Sequence, residues 1–103
     1  EAAMPPEKRS EAIHREEIKC FMRVVARGLA DYNTYYNLAI VHARLTEYEK
    51  SVAMLERSAD LNSAKSVITR LDIDNDRDFD KIRGDLVWAE RFSEQAARFR
   101  NTR

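Results

Sequence analysis

From Tyr35 to Leu45 the chain's apolar positions recur at three- and four-residue steps, so that Tyr35, Leu38, Ala39, His42 and Leu45 share one face of a helix. The same steps resume at Tyr48 and run through Val52, Leu55, Ala59 and Leu61 or Asn62. Thr46, followed three residues later by Glu49, has the spacing of a capping box that starts a new helix. The pattern therefore predicts a helical hairpin over residues 35–63, turning at Thr46. Upstream, Ile18, Phe21, Met22, Val25 and Leu29 form an apolar stripe with Val24 and Cys20 at its edge, after a stretch, 7–17, in which only Ala12 and Ile13 are apolar. Gly28 and then Asp31-Tyr32-Asn33 supply stop and turn chemistry before a helix starting near Thr34. Downstream, Ser63 is placed to cap a short helix whose inward positions are Val67, Ile68 and Leu71. After Gly84, with Asp85 as N-cap, Trp88, Phe92, Ala96 and Phe99 make one aromatic-rich helix face.

Five helices are thus expected, near 7–27, 34–45, 47–61, 64–71 and 86–100, with Leu38, Leu55, Tyr48, Val25 and Trp88 buried. Residues 1–6 are expected to form a disordered leader ended by Pro5-Pro6, residues 7–103 a single domain, and the basic tail from Arg98 to frayed ends. Only two Gly and two Pro among 103 residues, with 44% hydrophobic residues, argue against a turn-rich β fold.

Eighteen basic and eighteen acidic residues cancel, leaving no net field to hold a polyanion or an anionic membrane surface. Nucleic-acid binding is disfavoured. No apolar run approaches the roughly 20 residues of a spanning helix. Cys20 is the lone cysteine and cannot form an internal disulfide, which favours a reducing, intracellular compartment. Glu1 in place of an initiating Met reads as a processed form or a piece of a longer protein.

Candidate chemistry is sparse. There is no Gly-rich phosphate loop, no Cys or His pair at metal-binding spacing and no Ser-His-Asp signature, so neither a catalytic residue nor a cofactor is assigned. Cys20 reads as a small buried hydrophobe, with neither His14 nor His42 placed as its base. The alternation Asp72, Asp74, Asp76, Asp78, Asp80 invites comparison with a calcium loop, which needs Gly at position 6, an apolar residue at 8 and Glu at 12. Counted from Asp72, positions 6 and 12 are Arg77 and Arg83; counted from Asp74, positions 6, 8 and 12 are Phe79, Lys81 and Asp85. No frame fits. The other reading is a surface loop anchored by Phe79 and Ile82, with Arg77, Lys81 and Arg83 neutralising the acids.

The hairpin resembles the tetratricopeptide repeat in Tyr35-x2-Leu38-Ala39-x2-His42, Tyr48, Ser51-x3-Leu55 and Ser58. His42 stands where the family has an aromatic, Ser51 and Ser58 where it has Ala, and Ser63 where it has Pro, so the repeat is divergent. Residues 76–83 followed by Trp88 also resemble the closing segment of such arrays. The resemblance implies an all-α fold of right-handed antiparallel hairpins, a short α-solenoid with a C-terminal capping helix. It implies a scaffold, chaperone-adaptor or complex-assembly role without catalysis, the partner being a peptide or helix of another protein. The family's concave-face positions fall on Asn33, Tyr36, Asn37, Ile40 and Arg44. The aromatics of the last helix are the second candidate surface. Docking into a larger assembly, or self-association, stays open, and the alternative class is a small metal-binding or enzymatic domain built on residues 72–85.

Overall fold

The computed structural model describes residues 6–62 and 68–101, and about 75% of these are helical with no strand among them. Helix α1 (Pro6–Ala26) opens on a proline, whose missing N–H costs nothing at a first helical position, with Glu7 beside the positive helix end. Pro6 thus belongs to the helix, not to the expected leader, whose residues 1–5 lie outside the described residues. The end of α1 is a Schellman turn: Gly28 takes φ 71°, its N–H donates to Val25 (3.0 Å), and the Leu29 N–H donates to Val24 (3.1 Å). Asp31 then caps α2 (Tyr32–Arg44), accepting from the Thr34 N–H at 3.0 Å while its own N–H faces the Thr34 hydroxyl. The helix starts two residues before Thr34 for that reason.

The predicted capping box at Thr46 does not form. Thr46 instead closes α2 in a second Schellman turn, with φ 59°, its N–H on Ala43 (3.0 Å) and the Glu47 N–H on His42 (2.9 Å). Its hydroxyl turns back to the Leu45 carbonyl, and α3 (Tyr48–Leu61) begins after Glu47 without a side-chain cap.

Where α2 and α3 pack, Leu38, Ala39, Ser51, Leu55 and Ser58 are all fully buried. The two serines replace lost water with carbonyls of the facing helix, Ser51 Oγ donating to Ala39 and Ser58 Oγ to Tyr32, each at 2.7 Å. After α3, residues 63–67 lie outside the described residues, and with them Ser63 and most of the helix expected over 64–71. The observed helix is α4 (Arg70–Asp74), set by a capping box between Thr69 and Asp72. That start turns Leu71 outward and gives the inner position to Ile73.

Asp76 caps a 3-10 turn, Arg77–Phe79, which runs into α5 (Asp80–Arg83). Phe79 and Ile82, the two expected anchors, are fully buried. Asp85 accepts from the Val87 and Trp88 N–H groups, but α6 (Ala89–Ala96) begins after that capped turn, leaving Leu86 and Val87 exposed. From α6 onward Phe92, Ala96 and Phe99 enter the core. Residues 98–100 of the expected frayed tail are held: Phe99 is buried, the Arg100 carbonyl accepts from the Arg70 N–H at 2.6 Å, and Arg98 pairs with Asp60. An aromatic row, Tyr36 edge-on to Phe79 (5.9 Å between ring centres) and Phe79 tilted on Phe92 (5.0 Å), joins the hairpin to the C-terminal segment.

Leu38 and Leu55 are buried as expected, whereas Val25, Tyr48 and Trp88 are only half-buried. Val25 lies on α1, which packs on α2 and has no fully buried residue. Met22, Leu29 and Cys20 of the same stripe are exposed. No described helix is long and apolar enough to cross a membrane.

Candidate functional site

The stripe Tyr36, Ile40 and Arg44 faces the chain's own C-terminal segment. Tyr36 is buried, its hydroxyl donating to Asp76 Oδ2 (3.0 Å) and its ring lying on Phe79; burial, and then the Asp76 charge, push its pKa well above the ordinary tyrosine range. Ile40 packs half-buried against the same core. Arg44 holds Asp78 through two hydrogen bonds of 3.0 Å, which keep that carboxyl below its usual range. Of the five concave-face positions, Asn33 is exposed and Asn37 half-buried. The Asp-rich segment is thus the cover of this face, brought there by the Phe79 anchor.

The remaining acids of the segment also point at donors of the chain. Asp72 caps Thr69, Asp74 lies 3.9 Å from Arg70, Asp80 pairs with Arg83 at 2.7 Å, and Asp85 caps the turn before α6. Arg83 also donates to the Ile73 carbonyl and lies over the Phe92 ring, so one guanidinium ties α4, α5 and α6 together.

A second polar cluster sits at the turn between α2 and α3. Glu47 accepts two hydrogen bonds from Arg15 (3.0 and 2.9 Å) and faces His42 Nδ1 at 2.9 Å. Arg15, and after it His42, bring the Glu47 pKa down to about 2 against the cost of burial. An ionised carboxylate only accepts, so His42 carries its proton on Nδ1. The cluster pins α1 to the hairpin.

An open groove begins at the same turn. Its wider part, about 520 Å³, is lined by residues 46–50 together with Asp85, Val87 and Trp88. It continues past Trp88 into a cleft of about 270 Å³ between α3 and α6. Glu49, Val52, Ala53 and Glu56, at three- and four-residue steps, form one wall, and Trp88, Arg91, Glu94 and Gln95 form the other. Trp88 is the ridge, with the Arg91 guanidinium 5.1 Å from its ring centre. The sequence analysis did not single out this surface: helical spacing could have grouped Glu49, Val52, Ala53 and Glu56, but the pairing of α3 with α6 is a long-range contact.

No protein-family model matches the chain, and neither a curated protein nor a solved structure matches it.

Proposed function

We propose that this chain is a non-catalytic protein-interaction module of the tetratricopeptide type, with the groove between α3 and α6 as its partner surface. The hairpin geometry supports the architecture: the two small residues that the repeat needs at its helix crossing, Ala39 and Ser51, are fully buried and joined by a hydrogen bond. The observation that carries the choice of surface is the pairing of exposed Leu86 and Val87 with a half-buried Trp88 ridge, aromatic and aliphatic area left facing water. The α2 stripe is the weaker surface, since Tyr36 and Arg44 already bond to Asp76 and Asp78. The direction of every carboxylate from Asp72 to Asp85 onto a donor of the chain favours this reading over a metal-binding or enzymatic one.

Site-specific photo-crosslinkers at Ala53, in the groove, and at Asn37, on α2, test the reading in extract from the source cells. Protein adducts from position 53 and none from 37 are expected. Adducts from 37 alone would return the partner surface to α2. Adducts from neither would remove the interaction role.

A further inference from the structure

The helices stack in the order α1, α2, α3, α6, each packed on the next. A finite stack of helical hairpins stays soluble by turning polar faces outward at both ends. Here each end exposes apolar side chains among its charged ones. Met22 and Ala26 are exposed on α1, and Leu29 is exposed just past the turn that ends it. Lys19, Arg23 and Arg27 flank this stripe, all exposed, and no acidic residue occurs from 18 to 30. At the other end, Val87 and Trp88 border a groove whose exposed Glu49, Glu56 and Glu94 make no ion pair among the described residues.

The first surface is basic, whereas the groove sets Glu47, Glu49, Glu56, Asp85 and Glu94 against Lys50 and Arg91 and is acidic on balance. At about 1.5 Å per residue, Lys19 to Ala26 and Glu49 to Glu56 each span about 10 Å. Within one copy they cannot meet, because α2 and α3 lie between them. We infer that the groove between α3 and α6 receives the second half of α1 from another copy of this chain, so that copies stack head to tail. The inference rests on the reading of that groove as the partner surface. A contact between two different patches leaves one of each free at the ends, so assembly continues past the dimer.

Sedimentation equilibrium of the full chain tests this. At low salt the mean mass should rise with concentration beyond two copies, and at about 1 M salt, where the Debye length is about 3 Å, it should return to the single-chain 12.0 kDa. The pair Arg23→Glu and Arg27→Glu, or the pair Glu56→Lys and Glu94→Lys, should each give a monomer with helical circular dichroism intact. Mixed in equal amounts, the two variants should reassemble. If charge reversal unfolds the chain, Arg23→Gln with Arg27→Gln serves instead and should weaken assembly in the same direction. A parent that stays monomeric at every concentration, a mass that stops at two copies, or variants that assemble like the parent would overturn the inference. The crosslinker at Ala53 separates this failure from that of the underlying reading. A monomeric chain that still gives protein adducts from position 53 removes the second copy as occupant while the groove stands. Monomeric behaviour with no adduct from that position removes both.

Discussion

Ser51 Oγ donates to the carbonyl oxygen of Ala39 over 2.7 Å, with both residues fully buried where α2 and α3 pack together. Ser51→Ala keeps the small volume and loses about 1 kcal/mol for the hydrogen bond, the carbonyl retaining its place in the α2 ladder. Ser51→Leu forces the helices apart and should cost about 1 to 3 kcal/mol or more. Urea unfolding followed by circular dichroism distinguishes them. Equal losses for both variants would mean that close approach is not what position 51 supplies.

The hairpin was legible because its signal is local: Leu38, Ala39 and Leu55 sit at helical spacing within their own helices. The turns that end α1 and α2 were harder. Gly28 announces its left-handed turn by residue type, but Thr46, which makes the same turn, reads from its spacing to Glu49 as the start of a helix instead. Helix α6 was expected three residues early because Asp85 caps a turn as readily as a helix. The site was less legible than the fold, since what covers Tyr36 and Arg44 lies more than thirty residues away in sequence.

Thr46 holds φ 59°, a region where a β-branched residue is strained and glycine is not. Thr46→Gly should therefore raise stability by about 0.5 to 1 kcal/mol, net of the flexibility that glycine adds to the unfolded chain. Thr46→Val loses the hydroxyl and keeps the strain, so its midpoint should fall below that of the parent. A thermal or urea midpoint reads both. Destabilisation by glycine would show that the hydroxyl contact to Leu45 outweighs the backbone strain.

Glu47 gives a pH dependence with a definite sign. Its pKa in the folded chain, about 2, lies below the ordinary glutamate value near 4.3, so its stabilisation is present above about pH 4 to 5 and is lost as pH falls toward 2. Discounted for the solvent that reaches the pair, the loss is about 1 kcal/mol. Glu47→Gln should flatten the stability profile across that window, and Arg15→Ala should flatten it partly, because His42 still bonds the carboxylate. An unchanged profile in Glu47→Gln would assign the acid sensitivity to Asp31 and Asp78, whose pKa values are also lowered.

Phe79 and Leu71 contrast an anchor with a surface residue eight positions away. Phe79→Ala removes the centre of the aromatic row and should cost about 3 to 5 kcal/mol. Leu71→Ala should stay within about 0.5 kcal/mol, because the side chain is already more than half exposed. Tryptophan emission, reporting on α6, should lose cooperativity in the first variant and keep it in the second.

The Asp-rich segment makes the last prediction. A ligand raises the melting temperature only if it binds the folded chain better than the unfolded one. For calcium to do so, several carboxylates would have to converge, yet Asp76 and Asp78 turn to Tyr36 and Arg44, Asp72 to Thr69, and Asp80 to Arg83. Binding would mean breaking those contacts, including the pair of Arg44 hydrogen bonds that holds the segment on α2. Millimolar calcium or magnesium should therefore leave the midpoint unchanged, while Asp78→Ala, which frees Arg44, should lower it. A rise of several degrees with calcium, abolished by Asp76→Asn, would mean that the segment rearranges around the ion and that its contacts with α2 are the weaker interaction.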